Sequence, residues 1–414
     1  GTANGTATDV DGNFSLTVSG PDAVVEISCI GYATQTFAAS AVPSKIILSE
    51  DAMFLEETVV IGYGSLSKKE LSSSIVQVNS DDFFKGSMNN PMEMLTGKVA
   101  GLNVTTGAAA NPNSSSDLQI RGATSLQAGN GPLVVIDGVP GGDIRTIAPQ
   151  DIESMTVLKD AASAAIYGTR GANGVILITT RKGSEGGEGV SGITYDSWFG
   201  MNFAKPHPEV LSPEEFRRSG RGTDYGYNTD WYSLLMRDFG YDHNQYLAID
   251  GSTKGGSYNA SINFKDAKGL DIRSGRKEFG GRVAVEQKAF QNRLQINASI
   301  NARRVNEEWG NDGMFGTALT MNPTMPVYNE DGSFFQPTSP TGARNPYKEM
   351  VLLEGNSNGQ RLYLLGTVSG KLNIITTDHH NFSTTVSYSL DYDDFKSNNY
   401  RTADSGQSYW DGYK

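Results

Sequence analysis

The second half of the chain alternates between apolar and polar residues with a period of two, and this pattern restricts the possible folds. From 257 to 265 every second residue is Tyr, Ala, Ile or Phe, and the residues between them are Ser, Asn or Lys. The alternation recurs at 294–303 and, less strictly, at 382–392. A period of two places successive side chains on opposite faces of a β-strand. Strands of about ten residues with one apolar and one small polar face are typical of a transmembrane β-barrel around a water-filled lumen.

An extracellular array of β-sandwiches also contains alternating strands, so the pattern alone leaves this alternative open. Sandwich strands are usually about five to six residues long, and the longer segments of this chain therefore favour the barrel. The chain contains no apolar run of about 18 residues, the length that a transmembrane helix needs. Its 48 glycines, with many Asn, Ser and Thr residues, are typical of a β-rich protein with numerous turns. We therefore predict a mainly β fold.

Composition and residue patterns divide the chain into four parts. They are a small β-sandwich-like domain at 1–49, an acidic and β-prone linker at 50–64, an α+β domain at 65–185 and alternating strands at 190–414. Within the first part, strands are predicted at 14–18, 24–30 and 45–48. Within the last part, Ser212-Pro213-Glu214-Glu215 has the pattern of a capping box and predicts the start of a helix in a long polar connection.

Turn and helix signals place the elements of the α+β domain. We predict strands at 101–105, 118–122, 132–136 and 174–180, and helices at 91–99 and 161–167. Asp160 is the predicted cap of the second helix, and Gly168 its C-terminal stop. Gly168, Gly171 and Gly174 superficially resemble a phosphate-binding loop. They follow a helix and precede a strand, however, which is the reverse of the order in a dinucleotide loop.

Charge and reactive residues exclude several classes of function. The net charge of −12 argues against nucleic acid as a partner, because phosphate binding needs a basic face. The single cysteine, Cys29, permits no intramolecular disulfide, and its apolar neighbours predict a small buried residue. None of the histidines has the spacing of a metal site or a nucleophile elbow; they are His207, His243, His379 and His380. We therefore expect no enzymatic activity and no cofactor.

Two acidic clusters leave a structural calcium ion as an alternative to this expectation. Asp9, Asp11 and Asn13 match the start of a calcium-binding loop, but Gly20 occupies the position of its last acidic ligand. A hairpin turn is the favoured interpretation there. The run from Asp391 to Asp394 contains three carboxylates that could bind calcium, although a solvated strand end explains them more simply.

Several segments carry a resemblance to one protein family. The run Leu55-Glu56-Glu57-Thr58-Val59-Val60-Ile61 precedes Gly62-Tyr63-Gly64, and further matching blocks lie at 95–102, 120–122, 132–140, 151–154, 157–160 and 165–176. In this order the blocks resemble the SusC/RagA-like family of TonB-dependent outer-membrane transporters. Residues 1–49 resemble the carboxypeptidase-regulatory-like domain of that family, and residues 65–185 resemble its plug domain. Thr58 departs from the usual valine but keeps the β-branched character.

The resemblance implies that residues 190–414 are the first part of a barrel of about 22 antiparallel strands that encloses the plug domain. Because the alternating segments are too few for such a barrel, we expect the chain to continue past Lys414. The segment Leu55, Glu56, Glu57, Thr58, Val59, Val60 and Ile61 corresponds to the TonB box, which pairs as a strand with TonB. It would lie in the periplasm, with the barrel in the bacterial outer membrane.

The resemblance also implies partners and a cargo. The expected partners are the TonB–ExbB–ExbD complex, a SusD-like surface lipoprotein that covers the barrel, and outer-membrane lipid. The expected cargo is an oligosaccharide or a peptide, imported without any covalent change. The alternative is an extracellular β-rich binding or adhesion protein that performs no transport.

Two groups of residues are candidate site residues. Arg121 and Arg170 lie in the predicted plug domain, and we expect them to pair with carboxylates on the barrel wall, because charges removed from water need partners. The candidates for substrate contact are aromatic residues of the long connections, namely Tyr225, Tyr227, Trp231, Trp309 and Phe315. Such rings suit stacking against sugars, but they are also typical of the aromatic girdles at membrane interfaces.

Overall fold

The structure, a computed structural model, describes most of the chain from residue 75 onward and shorter stretches before it. The described residues are 6, 8, 14–18, 20, 23–29, 32–43, 46, 58–61, 64–67, 75–83, 88, 90–106, 111–120, 122, 131–159, 164–183, 189–204, 209–337, 344–353, 357–376 and 381–400. No helix within these residues is long and apolar enough to cross a membrane. Residues 1–72 and 73–414 form two compact units.

The first unit contains two β-hairpins among its described residues. Strands β1 (Val24–Cys29) and β2 (Tyr32–Ala38) pair antiparallel, as do β3 (Thr58–Ile61) and β4 (Gly64–Ser67). The strand predicted at 24–30 is thus present, but residues 14–18 belong to no strand. Phe14 is 41% exposed, so the alternation in that segment does not reflect a covered face. Asp9–Asn13 and the Cys29 side chain lie outside the described residues.

The second unit begins with an α+β domain, here called the plug domain (residues 75–183). Its strands are β5 (Ile75–Asn79), β6 (Leu102–Thr106), β7 (Ser116–Ile120), β8 (Leu133–Ile136), β9 (Val139–Pro140), β10 (Ile152–Leu158) and β11 (Val175–Thr180). Five strands form a mixed sheet in the order β5-β10-β11-β8-β9, with β11 and β8 parallel, while β6 and β7 form a separate hairpin. The apolar run 175–178 is at most 5% exposed, as expected for an interior strand that is covered on both faces.

Apart from the α-helical residue Ala164, the helical structure described in this domain consists of short 3₁₀ helices. They span Ser80–Asp82, Pro91–Leu95, Ile144–Thr146, Pro149–Asp151 and Ala165–Gly171. The helix predicted at 91–99 is a 3₁₀ helix of five residues, capped by the Asn90 side chain. The helix predicted at 161–167 is described only from Ala164 onward. Gly168 breaks it, as predicted, because its φ of 60° and ψ of −145° suit glycine alone.

Seven long strands form one antiparallel sheet, here called the wall sheet. They are β12 (Gly189–Asn202), β13 (Gly240–Thr253), β14 (Gly256–Lys268), β15 (Gly275–Ala289), β16 (Leu294–Glu308), β17 (Ser357–Thr376) and β18 (Asn381–Asn399). The strands pair in chain order from β12 to β18. They contain 13 to 20 residues, which exceeds the predicted length of about ten, because the strands continue past the alternating apolar segments into polar residues at one end.

The two ends of the wall sheet differ in their connections. At one end, residues 254–255 join β13 to β14, and residues 290–293 join β15 to β16. At the other end, here called the loop end, the connections are 203–239, 269–274 and 309–356. Outer-membrane barrels have short periplasmic turns and long extracellular loops. The loop end therefore corresponds to the extracellular side.

Burial in the wall sheet is the reverse of burial in a water-soluble protein. On β14, Asn259 and Ser261 are 4% and 5% exposed, whereas Ile262 and Phe264 are 52% and 39% exposed. The polar face lies against the plug domain, and Leu365 of β17 joins the hydrophobic core of that domain. The apolar face points outward, as expected for a face that contacts lipid. The predicted mainly β fold, with a plug domain and a barrel wall, is thereby confirmed.

The connections at the loop end share a hydrophobic core, and we call this body the loop lobe (residues 209–239 and 309–353). Its helices are Pro213–Ser219, Ser233–Leu235, Gly313–Thr320 and Pro346–Val351. The capping box predicted at Ser212 is present, since Ser212 and Glu215 exchange hydrogen bonds. Buried residues of the lobe are Trp231, Leu235, Met314, Ala318, Met321 and Met350.

Candidate functional site

The interface between the plug domain and the wall sheet has a buried carboxylate at its centre. Asp151 ends the 3₁₀ helix Pro149–Asp151 and is 3% exposed. It accepts hydrogen bonds from the Tyr246 hydroxyl at 2.8 Å and from Ser261 Oγ at 2.6 Å. Both donors belong to the polar face of the wall sheet. A buried carboxylate needs such donors, because an unpaired charge there would be costly.

A second contact joins the end of β11 to β15. Arg282 Nη2 donates to Thr180 Oγ1 at 2.5 Å, and Arg282 Nη1 donates to Asn259 Oδ1 at 2.9 Å. Thr180 Oγ1 in turn donates to Asp137 Oδ2 at 2.6 Å, and the Thr180 amide donates to the other Asp137 oxygen at 2.9 Å. The chain of hydrogen bonds connects the wall arginine to a plug carboxylate through one threonine.

Charged residues of the wall sheet are buried beneath the plug domain. Glu278 pairs with Arg303 at 3.1 Å and also with Arg276, and all three side chains are at most 6% exposed. Lys265 pairs with Asp242 at 3.2 Å and donates to the backbone oxygen of Met88 in the plug domain at 2.6 Å. The charges are thus largely paired within the wall, and Lys182 of the plug domain adds an ion pair to Glu286 of β15 at 3.1 Å.

The structure describes one of the two arginines that are predicted to seat the plug domain. Arg121 lies outside the described residues. Arg170 is exposed, and its guanidinium lies beside Gly141, where an added Cβ would come within 2.5 Å of Nη2. Among the described residues, no carboxylate forms an ion pair with Arg170. Lys182 of the plug domain does pair with a wall carboxylate, Glu286, at 3.1 Å. A role of Arg121 and Arg170 in seating the plug domain stays a prediction.

A small polar cavity lies between the plug domain and the wall sheet. Its volume is about 40 Å³, and it is lined by Met88, Pro91, Pro149, Gln150, Trp198, Asn244, Asn263, Lys265, Glu278 and Arg303. Gln150 Nε2 donates to Asn244 Oδ1 at 3.2 Å across the interface. A polar cavity of this size accommodates water. The interface is therefore hydrophilic, unlike the apolar core of a folded domain.

Nearer the loop end, two side chains of the plug domain lie against β17. Asp143 and Arg145 form an ion pair at 2.6 Å, and the Arg145 guanidinium lies 5.8 Å from the centre of the Tyr363 ring. Burial would raise the pKa of Asp143, but the hydrogen bonds and positive charge of Arg145 hold that pKa below its ordinary value of 3.8. Asp143 also accepts a hydrogen bond from the Arg145 amide at 2.9 Å, so it fixes the turn that follows.

The tip of the plug domain is attached to the loop end of the wall. Asn113 Nδ2 donates to the backbone oxygen of Glu308 at 2.7 Å and to that of Gly275 at 3.2 Å. These are the last residue of β16 and the first residue of β15. One plug amide therefore bridges two adjacent strands where they enter the loops.

The five aromatic candidates occupy different environments in the loop lobe. Trp231 is 2% exposed, and its indole Nε1 donates to the backbone oxygen of Asn322 at 3.0 Å. It therefore packs inside the lobe and presents no face to a ligand, contrary to the expectation of substrate contact. Phe315 is partly buried against Tyr232, with ring centres 5.4 Å apart.

The remaining candidates are at least partly accessible. Tyr227 is 48% exposed, and Tyr225 is half-buried with its ring edge-on to Phe335 at 5.7 Å. Trp309 is half-buried beside Phe395, 6.0 Å between ring centres. A role in substrate contact stays a prediction for these residues.

The acidic run that could bind calcium is divided between two faces of β18. Asp393 pairs with Arg361 at 2.5 Å on the face that also carries Asp391, while Asp394 pairs with Lys396 at 3.4 Å on the outward face. In the part of the chain that the structure describes, no group of three or more His, Cys, Asp or Glu residues could hold a metal ion.

Comparisons with known proteins agree with this architecture. Residues 67–175 match the family described as TonB-dependent Receptor Plug Domain. The chain is 36% identical to the TonB-dependent receptor SusC of Bacteroides thetaiotaomicron over 84% of its own length and 36% of that protein. It is 29% identical to a TonB-dependent receptor of Formosa agariphila over 98% of its own length and 42% of that protein.

The fold also matches that of a solved transporter. The RagAB peptide importer in its open-open state superposes with a TM-score of 0.65 at 23% identity, over 82% of this chain and 42% of that chain. The chain thus spans about two fifths of the length of the proteins to which it is similar.

A plug domain held against an outward-apolar antiparallel wall defines the class of outer-membrane TonB-dependent receptors. Within that class, the chain belongs to the SusC/RagA-like family. That family is one of receptors and transporters.

Proposed function

We propose that the protein imports a nutrient across the bacterial outer membrane by a TonB-dependent movement of the plug domain. The cargo is an oligosaccharide or a peptide, and a SusD-like surface lipoprotein covers the loop end. The RagAB peptide importer suggests the peptide cargo. The oligosaccharide and the lipoprotein partner follow from the resemblance to SusC-like transporters.

The hydrophilic interface between plug and wall is the observation that supports the proposal. Asp151 and Thr180 contact the wall through hydroxyl, amide and guanidinium groups, and a polar cavity lies beside them. When the plug moves, water can replace each of these partners, so the net free energy of each broken hydrogen bond is only about 0.5–1.5 kcal/mol. In an apolar interface of the same area, water could not replace the contacts that are lost when the plug moves. This arrangement suits a domain that must stay seated at rest and leave under force.

The segment from Leu55 to Ile61 is the proposed binding site for TonB. Residues 58–61 form strand β3, which pairs with β4 on one side only among the described residues. The unpaired edge of such a strand can accept a strand from a partner by main-chain hydrogen bonds. Residues 55–57 lie outside the described residues.

Deletion of residues 55–61 tests the proposal. We expect uptake of the cargo to cease while cargo binding at the cell surface is retained, because the segment is remote in sequence from the loop lobe. Two substitutions at one position test the same point. Val59→Pro removes a main-chain donor and should stop uptake, whereas Val59→Ile keeps the donor and should retain uptake. Growth on defined glycans or peptides as sole nutrient, with the gene deleted and restored, would identify the cargo class. Uptake that persists in the deletion variant would contradict TonB-driven import.

A further inference from the structure

The outward face of the wall sheet has a groove at its centre. The groove has a volume of about 760 Å³, and its residues come from β12 to β17. Most of them point outward, and they include Ile193, Ile249, Ile262, Phe279, Val283, Ile300 and Leu362. The groove therefore opens toward the lipid and not toward the plug domain.

Small residues produce this groove. Gly281 of β15 pairs with Ile262 on one side and with Ala302 on the other, and Ala260 pairs with Val283 in the next row. A glycine beside two alanines lowers the surface between rows of larger side chains. The exposed Ile300 and Phe279 form its borders, at 50% and 62% exposure.

An outward-facing cation, Arg304, lies at the loop end of the groove. Arg304 is exposed on the outward face, and in register it lies between Phe279 and Leu362. In the next row toward the loop end, the outward residues are Lys277, Asn306 and Gln360. Arg304 thus marks the boundary between the apolar band and the polar rim, where long basic side chains reach the headgroup region.

Arg304 has only a neutral partner among the described residues. Its Nη2 donates to Gln360 Oε1 at 3.3 Å, and no described carboxylate pairs with it. By contrast, the neighbouring outward cations Lys277 and Lys396 pair with Asp266 and Asp394. The guanidinium can therefore accept an anion without losing an ion pair.

We propose that this groove binds a phosphate-bearing lipid of the outer leaflet. One acyl chain lies over Gly281 and Ala302, and the phosphate contacts Arg304. Apolar surface in the groove complements the chain, and a guanidinium binds phosphate with two parallel hydrogen bonds. The loop end is the extracellular end, which assigns the lipid to the outer leaflet.

A second copy of this chain fits the groove less well. In a two-fold symmetric contact the same patch faces itself, so a pair of grooves would bring two Arg304 guanidinium groups together without a carboxylate between them. The lipid provides the missing anion, and its acyl chain complements the apolar lining of the groove.

Native mass spectrometry of the detergent-purified receptor, titrated with monophosphorylated lipid A, tests the proposal. Arg304→Gln removes the charge but can still hydrogen-bond to Gln360, and Ala302→Leu fills the groove. The matched controls are Lys396→Gln, an outward cation away from the groove, and Ala298→Leu, an outward alanine of the same strand that does not line it. Dephosphorylated lipid A and inorganic phosphate are the comparison ligands.

We expect Arg304→Gln and Ala302→Leu each to weaken lipid binding by about tenfold, the loss expected for one charge-assisted hydrogen bond or a comparable apolar contact. The two controls should bind like the unaltered receptor, and the dephosphorylated lipid should bind like Arg304→Gln. Equal binding by all variants would overturn the proposal. So would binding of inorganic phosphate that is unaffected by Ala302→Leu, or a dimer that Ala302→Leu abolishes, since these outcomes indicate a free phosphate site or a second copy.

Discussion

Asp151 of the plug domain and Tyr246 of the wall sheet form a buried hydrogen bond of 2.8 Å, although 95 residues separate them in sequence. Ser261 of the next strand donates to the same carboxylate oxygen. One plug side chain is thus held by two adjacent strands of the wall. The contact is polar and specific, so it fixes where the plug sits without burying an apolar surface that would resist movement.

Removal of the Asp151 charge should weaken the attachment of the plug domain to the wall sheet. In Asp151→Asn the amide oxygen can still accept from Tyr246 and Ser261, but it lacks the negative charge that strengthens both hydrogen bonds. We expect a loss of about 1–3 kcal/mol in the free energy that holds this part of the plug domain. Hydrogen exchange of residues 149–158 in the purified receptor would measure it as faster exchange.

The control for this experiment is Asp117→Asn, an exposed carboxylate on β7 of the same domain. It changes the net charge equally but has no contact with Tyr246 or Ser261. Unchanged exchange at 149–158 in Asp151→Asn, or equal acceleration in both variants, would show that the buried hydrogen bonds do not seat the plug.

The strands of the wall were predictable from sequence, but their contacts were not. Alternation from Ser257 to Lys265 reveals two different faces, because a period of two is a local property. The partner of Ser261 is Asp151, at a separation of 110 residues, and no local pattern indicates that pairing. The predicted seating residue Arg170 is exposed, whereas Lys182 of the same domain pairs with Glu286 of the wall, 104 residues further along the chain.

Trp231 illustrates the same limit in the loops. A tryptophan in a polar connection was predicted to contact substrate, yet it is buried beside Met314 and Met350. Those residues lie in a different connection, so the shared core forms only when both loops fold together. A capping box at Ser212 was predictable because all of its atoms belong to four consecutive residues.

Substitution of Trp231 should therefore destabilise the loop lobe. Trp231→Phe removes the donor to the Asn322 carbonyl, and we expect a cost of about 1–2 kcal/mol. Trp231→Ala also leaves a cavity, with an expected cost of about 3–5 kcal/mol. Limited proteolysis within 209–239 and 309–337 would detect this as faster cleavage in the order Ala, Phe, unaltered receptor.

Tyr227→Ala is the matched control, because Tyr227 is 48% exposed in the same connection. It should leave the cleavage rate unchanged. If Tyr227 contacts substrate, this variant should lower cargo affinity while the cleavage rate stays unchanged. A Trp231→Ala variant that is cleaved at the normal rate would argue that the lobe has no common core.

The ion pair of Asp143 and Arg145 predicts that the stability of the folded protein depends on pH in the acid range. The pKa of Asp143 in the folded protein lies below 3.8 because Arg145 favours the charged carboxylate. A carboxyl group with a lowered pKa contributes stability above its ordinary pKa and loses that contribution as the pH falls through the lowered value. The contribution is therefore complete at neutral pH and disappears below about pH 3.8.

Asp143→Asn should reveal this contribution in a pH series of thermal unfolding midpoints. We expect the variant to be less stable than the unaltered receptor at pH 7, with the difference shrinking as the pH falls below 3.8. A conservative comparison is Asp82→Asn, which alters an exposed carboxylate of the same domain. A difference that stays constant down to pH 3 would mean that the carboxylate charge has no part in holding this turn.

Asn113 is the residue through which the loop end can influence the plug domain. Its side-chain amide donates to the backbone oxygens of Glu308 and Gly275, the points at which β16 and β15 enter their loops. Movement of either connection therefore changes the geometry of a plug contact directly. Asn113→Ala removes both hydrogen bonds, and Asn113→Asp in addition places a negative charge beside two carbonyl oxygens. We expect losses of about 1–2 kcal/mol for alanine and more for aspartate.

A spin label placed at position 115 would measure the mobility of the plug tip in these variants. Mobility should rise from the unaltered receptor to Asn113→Ala and then to Asn113→Asp, while Asn103→Asp, an exposed substitution on β6, leaves it unchanged. This order of mobilities separates the effect of the lost donor from the effect of the added negative charge. A tip that loosens equally in alanine and aspartate variants needs only the lost donor. A tip that stays immobile in both must be held by other contacts, and the attachment through Asn113 would then have no part in coupling the loops to the plug.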